Sequence, residues 1–208
     1  MSRTEKPSGR REARNLSSLE RRSGSLHPRK RILIVCEGKE TEPNYFDCLR
    51  QELNLSAVEI VVEGVGFDPS ALVKRALRRR ESARRDGLAF DEVWCVMDRE
   101  ATHQQAGFSA AVNTAGGNKI KLAVSNPAFE FWFLLHFTHT ARPFVDAADL
   151  IQELKIYISD YEKNANVFPA VYHRTADATK QACTTHPGQS PGPGRPLPQP
   201  LDRSLPAG

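Results

Sequence analysis

Acidic side chains follow two of the predicted strands at the point where each strand ends. Glu37 comes directly after the apolar run at 31–36, and Asp98 and Glu100 follow a second run at 92–97. An extended backbone points residues two apart to the same face, so Asp98 and Glu100 are expected to point together. If the two strands are neighbours, Glu37 lies within about 5 Å of that pair. A set of ligands made up only of carboxylate oxygens suits Mg²⁺ or Mn²⁺. The predicted ligand set is Glu37, Asp98 and Glu100.

The same three residues have a second interpretation, because acids after a strand also serve as solvated loop residues or helix caps. Glu130 is a further catalytic candidate, since it lies in the first turn of a predicted helix, where the helix dipole favours an anion; a structural ion pair or a capping role is its alternative. His136 follows six residues later on another side of that helix and is predicted to be a core or rim residue. His103 is a candidate for proton transfer.

A basic helix is predicted after Asp68-Pro69-Ser70, with basic residues between its apolar positions. Such a helix could hold the phosphates of a polyanionic substrate, and a solvated helix face is the alternative. The predicted nucleic-acid contacts are Lys74, Arg75, Arg78 and Arg79. Gly64-Val65-Gly66 is only a fragment of a phosphate-binding loop, so the chain is not expected to hydrolyse ATP by itself.

The elements that position these residues lie in the middle of a chain of 208 residues with net charge +4. The first 31 residues contain ten Lys or Arg against three Glu, and seven of the 14 prolines lie between Pro187 and Pro206. Neither end has enough apolar residues to offset its ordering entropy. We therefore predict a disordered basic arm at 1–28, one domain at 29–180 and a disordered Pro-rich tail at 181–208.

Several classes of protein are excluded by the residue pattern. The four cysteines form no CxxC pair and no dense framework, which argues against a disulfide-stapled domain or a zinc ribbon. No run approaches 18 apolar residues, and the amino-terminal segment is polar, so neither a membrane span nor a secretory signal is expected. The expected compartment is the cytoplasm.

Within the domain, strand and helix patterns alternate. Strands are predicted at 31–36, 58–62, 92–97 and 119–124, and helices begin near Thr41, Asp68, Ala106 and Pro127. Thr41 and Asn126 are expected to cap their helices, and the last of them should reach about Phe137. This alternation is typical of an α/β fold with a mainly parallel four-stranded sheet, helices on both faces and ligands at the carboxyl ends of the strands.

Three strings extend this interpretation to a family: ILIVCEGKETEPNYF at 32–46, VWCVMDRE at 93–100 and SNPAFEFWFLLHF at 125–137. Together they resemble the RloB family, which is associated with bacterial restriction and abortive-infection loci. The resemblance implies a TOPRIM-like fold, in which a Glu after the first strand and a DxD after the third hold Mg²⁺ for phosphodiester chemistry. By position these would be Glu37, Asp98 and Glu100, and Glu100 replaces the second Asp of the family pattern. The resemblance also implies an AAA-type ATPase as partner.

The leading functional hypothesis is therefore a Mg²⁺- or Mn²⁺-dependent nuclease that acts on DNA or RNA in anti-phage defence. The second is a non-catalytic subunit that keeps the fold and binds the ATPase or nucleic acid. A phosphatase acting on a small phosphorylated substrate is a third, weaker hypothesis.

Overall fold

Short runs of β-branched and other apolar residues form the four predicted strands. In the computed structural model, which describes residues 30–62, 68–99 and 105–185, they are β1 Ile32–Cys36, β2 Val58–Val62, β3 Glu92–Asp98 and β4 Lys121–Ser125. All are parallel, in the order β2-β1-β3-β4. The first and third strands are thus neighbours, with Cys36 level with Val96, and the predicted fold class is confirmed.

Seven α-helices and one 3₁₀ turn accompany the sheet in the described residues. The helices are α1 Thr41–Glu52, α2 Pro69–Arg85, α3 Gln105–Gly117, α4 Glu130–Leu134, α5 Ala147–Leu154, α6 Phe168–Val171 and α7 Thr175–Thr185, and the 3₁₀ turn is Tyr172–Arg174. Helices α2 and α3 cover one face of the sheet, and residues from α1, α4, α5 and α6 cover the other. A parallel sheet covered on both faces explains why its strands are almost continuously apolar.

Aromatic rings fix the helices on the α1 side of the sheet. The Tyr45 ring lies 5.8 Å, between centroids, from each of the rings of Phe129, Phe133 and Phe168. Tyr45 belongs to α1, Phe133 to α4 and Phe168 to α6, so one buried cluster joins three helices. Large rings in offset contact stabilise a core beyond their buried area. The first turns of α1 and α4, which carry acidic residues, are held in place by this packing.

Three local predictions need correction. Thr41 does not cap α1, because its hydroxyl donates to the Lys163 carbonyl at 2.8 Å. The helix predicted from Pro127 begins only at Glu130 and ends at Leu134, since Ala128 instead accepts a three-residue turn bond from the N–H of Phe131. Asn126 therefore caps no helix; its peptide bond to Pro127 is cis. By contrast, the Asp68 side chain caps α2 as expected, accepting from the Ser70 N–H at 3.3 Å.

The predictions for the two ends of the chain can be compared with the structure only in part. Helix α7 continues through 181–185, which were predicted as part of the Pro-rich tail. The predicted basic arm, Gly64-Val65-Gly66, Glu100, His103 and most of the tail lie outside the described residues. Across 30–62, 68–99 and 105–185, no helix is long and apolar enough to cross a membrane.

Candidate metal centre

Glu37 and Asp98 meet at the carboxyl edge of the sheet because β1 and β3 are adjacent. The Glu37 N–H donates to the Val96 carbonyl at 3.1 Å, which extends the ladder one residue past β1. The Asp98 N–H in turn lies 3.4 Å from a carboxylate oxygen of Glu37. The structure thus brings together two of the three predicted ligands. Their role in binding metal stays a prediction.

A third carboxylate, Glu42, reaches the same edge and was not among the predicted site residues. Glu42 lies in the first turn of α1 and is only 4% exposed. One of its oxygens accepts from the Gly38 N–H at 3.3 Å. A Cβ at position 38 would meet the Glu42 carboxylate, so any other residue there would require the Glu42 side chain to move. The signal in the sequence was an acid at a helix start, five residues after Glu37.

Glu130 is a fourth acid at this edge, and it is 3% exposed. It opens α4, which follows the carboxyl end of β4. The hydroxyl of Tyr161 donates to a Glu130 oxygen at 2.9 Å. Tyr161 is itself 1% exposed and comes from the segment between α5 and α6. The bond satisfies one lone pair of the buried carboxylate but supplies no positive charge.

The surroundings of Asp98 and Glu42 favour the uncharged forms of these two acids. The pKa of Asp98 is raised to about 8, chiefly by burial and then by the negative charges of Glu42, Glu130 and Glu37, in that order. Burial also raises the pKa of Glu42, and the charge of Glu130 adds to the effect. One side-chain oxygen of Asp98, Oδ1, is buried without a hydrogen-bond partner. Uncompensated buried charge of this kind is costly unless a proton or a cation neutralises it.

The donors at this edge suit a hard cation. They are all oxygens, and the Asp98 oxygen without a partner is an acceptor open to one. Across the described residues, no three His, Cys, Asp or Glu side chains are already arranged to hold one ion. Mg²⁺ commonly takes only one or two carboxylates and completes its octahedron with waters and substrate phosphates. Glu37 and Asp98 supply that number of carboxylates.

The predicted nucleic-acid residues lie on α2, on the opposite face of the sheet from α1. Lys74, Arg75 and Arg78 are exposed, whereas Arg79 pairs with Glu59 of β2. Arg80 donates to the carbonyl of Asn118, just before β4 begins. The carboxyl-terminal half of α2 therefore lies toward the amino edge of the sheet, away from the four acids. A role of this helix in binding nucleic acid stays a prediction.

His136 is a core residue, as predicted. It is 2% exposed, and its ring Nδ1 lies 2.8 Å from the Trp132 carbonyl. Burial lowers the pKa of His136, which favours a neutral ring.

Comparisons with known proteins give one positive result. A family model described as RloB-like protein matches residues 32–193. Neither a curated protein nor a solved structure matches the chain.

Proposed function

The chain belongs to the RloB-like family, and from that premise we propose that it is a Mg²⁺-dependent, TOPRIM-like nuclease acting in anti-phage defence in the cytoplasm. One observation carries the proposal: Asp98 keeps a buried oxygen without a partner among the negative charges of Glu42, Glu130 and Glu37. Strongly perturbed carboxylates at the ligand edge of a parallel sheet are typical of functional sites.

In this proposal each acid has a distinct part. Glu37 and Asp98 hold Mg²⁺ or Mn²⁺, and Glu100 ligates or acts as a base. Glu130, fixed by the Tyr161 hydroxyl, orients a water or accepts its proton. Glu42 lies against the Gly38 N–H and adds negative charge that favours a cation. The bound ion would polarise the phosphodiester and lower the pKa of the attacking water.

The substrate in this proposal is DNA or RNA. Its scissile phosphate reaches the acids only with the ion present, because the ionised acids at this edge otherwise repel it. Lys74, Arg75 and Arg78 are exposed on α2 and are candidates for phosphate contacts away from the reacting group.

The test is cleavage of single- and double-stranded DNA and RNA by the full chain with Mg²⁺ or Mn²⁺, and with a chelator. Glu37→Gln and Asp98→Asn should each lower the cleavage rate at least about a hundredfold, since each removes a ligand charge. The matched control is Glu92→Gln, because Glu92 lies at the other end of β3 and pairs with two lysines. Cleavage that survives either of the first two substitutions would contradict the assigned roles.

A second candidate is a non-catalytic subunit that binds an AAA-type ATPase. It is favoured by the sequence, in which Glu100 replaces the second Asp of the family pattern. Calorimetric titration of Mg²⁺ and Mn²⁺ separates the two proposals. Binding that is lost in Asp98→Asn supports the nuclease, and no binding up to millimolar metal supports the subunit.

A further inference from the structure

Two exposed cations lie on opposite sides of the four acids at the carboxyl edge of the sheet. Arg99 follows Asp98 directly and contacts α3. Lys163 belongs to the segment between α5 and α6 and contacts the start of α1. In the part of the chain that the structure describes, neither side chain forms a salt bridge with an acid. Both positive charges are therefore available to a negative ligand.

An aromatic ring holds the Arg99 side chain in place. Its guanidinium carbon, Cζ, lies 5.4 Å from the centre of the Phe108 ring. Such a contact orients the cation without neutralising its charge, and its planar donors still match phosphate oxygens. Val96, two residues before Asp98, packs into the core on the α1 side. Because side chains alternate along a strand, Asp98 faces the α1 side and Arg99 faces the α3 side.

Two hydrogen bonds fix the segment that contains Lys163. Its carbonyl accepts from the Thr41 hydroxyl at 2.8 Å, one residue before Glu42 in the first turn of α1. Two residues before Lys163, the Tyr161 hydroxyl donates to Glu130. Burial raises the pKa of Glu42, and the positive charge of Lys163 is one of the weaker effects that oppose this. Lys163 thus lies beside the acids on the α1 side without a salt bridge to them.

The carboxyl edge is not a broad basic surface. Exposed residues near it carry charges of both signs and include Lys39, Glu40, Asp68, Asp160 and Glu162. A uniformly basic surface would attract any stretch of a polyanion, whereas two fixed cations on either side of the acids favour phosphates at two particular places.

We propose that Arg99 and Lys163 bind phosphates on the two sides of the scissile phosphate of a polynucleotide, a role that rests on the proposed nuclease function. The strand then crosses the edge of the sheet from the α3 side to the α1 side, over the acids. A polynucleotide carries a negative charge at every linkage, so cations on both sides of the reacting group suit a linkage inside a strand. A small substrate with one phosphate has no negative groups for both positions.

The salt dependence of binding tests these contacts. The full chain is titrated with labelled DNA and RNA oligonucleotides whose phosphorothioate linkages resist cleavage, at a fixed Mg²⁺ concentration, and fluorescence anisotropy gives the binding constant at about 50 to 200 mM salt. Each phosphate contact contributes about −0.7 to −0.9 to the slope of log K against log salt. Arg99→Gln and Lys163→Gln should each make the slope shallower by about that amount, and the double variant by about twice as much.

Arg31→Gln and Lys30→Gln are the matched controls, because both residues lie at the amino edge of the sheet. The Arg31 guanidinium lies 5.3 Å from the centre of the Phe90 ring, the same kind of contact that Arg99 makes, and the Lys30 side chain is 70% exposed. Both controls should keep the native slope. Arg99→Lys and Lys163→Arg preserve the charge and should also keep it, and circular dichroism should show every variant folded.

Several results would overturn the proposal. These are native slopes in Arg99→Gln or in Lys163→Gln, since the path across the edge needs both contacts, and a native chain that binds no oligonucleotide. Cleavage is measured separately on ordinary oligonucleotides. Cleavage by the native chain with unchanged slopes in the variants would keep the nuclease and remove the flanking contacts. Shallower slopes without any cleavage would keep the contacts and remove the nuclease.

Discussion

The two ends of strand β3 carry the same kind of side chain in opposite surroundings. Glu92 at the amino end pairs with Lys121 and Lys30, each at 2.9 Å. Lys121 first, and then Lys30, lowers the pKa of Glu92 to about 2. Asp98 at the carboxyl end lies near three other acids, and its pKa is raised to about 8. The negative charge at the amino end of the strand is balanced by two lysines, whereas the acid at the carboxyl end lies among other acids.

The difference separates structural charge from functional charge. A protein selected only for stability would pair or remove an acid such as Asp98, as it does Glu92, because buried unpaired charge is destabilising. The carboxyl edge is also where the first turns of α1 and α4 add Glu42 and Glu130. A destabilising group of acids at the edge of a sheet where ligands bind is typical of a binding or catalytic site.

Asp98→Asn should produce the largest change in stability without metal. Below about pH 4 Asp98 is protonated in both the folded and unfolded states, so the substitution has little effect. Between about pH 4 and 8 the unfolded chain loses this proton while the folded chain keeps it, so the native protein loses stability as pH rises. Asp98→Asn removes that loss and should stabilise the protein by about 2–5 kcal/mol at pH 8.

Urea unfolding at pH 4, 6 and 8, with a chelator present, measures this effect. Mg²⁺ added at pH 8 should stabilise the native protein and leave Asp98→Asn nearly unchanged, because binding to the folded state alone raises its stability. If native and variant proteins have parallel stability curves from pH 4 to 8, Asp98 is not the uncompensated acid that the comparison requires.

Parts of this arrangement could be predicted from residues close in sequence. The apolar runs at 31–36 and 92–97 fix where β1 and β3 end, and therefore place Glu37 and Asp98 at one edge. Glu42 could not be assigned in the same way, because an acid in a first helical turn is usually solvated. Its burial depends on packing among α1, α4 and α6 through Tyr45 and its aromatic neighbours.

The partner of Glu130 was also beyond local reasoning. Tyr161 lies 31 residues later, in a segment with no motif that points to the sheet edge. The predicted start of α4 was wrong for a related reason. The pair Asn126-Pro127 is typical of a helix start, yet the chain forms a turn before the helix begins. The partner of Glu130 and the start of α4 both depend on contacts between segments that are distant in sequence. Residue spacing within one segment cannot predict such contacts.

Tyr161→Phe should have an intermediate effect at the carboxyl edge. It removes the hydroxyl that donates to buried Glu130 and leaves the ring in place. Loss of a hydrogen bond to a buried carboxylate costs about 1–3 kcal/mol, which lowers the melting temperature by roughly 3–9 °C in a domain of this size. Tyr157→Phe is the control, since Tyr157 is 41% exposed. Equal melting temperatures for both variants would show that the hydroxyl does not stabilise Glu130.

Glu92→Gln should have the smallest effect and the opposite dependence on pH. Because the folded pKa of Glu92 is lowered, its contribution is present above about pH 4.5 and is lost as pH falls toward about 2. Lys30 and Lys121 are both at least half exposed, so the contribution should stay below about 1 kcal/mol at pH 7. Urea midpoints at pH 7 and pH 3 measure it, in low and high salt. The urea midpoint of the native protein should be higher than that of the variant at pH 7. The difference between the two midpoints should be smaller at pH 3 and in high salt. A larger difference between the midpoints at pH 3 than at pH 7 would mean that the ion pairs of Glu92 do not stabilise the amino end of β3.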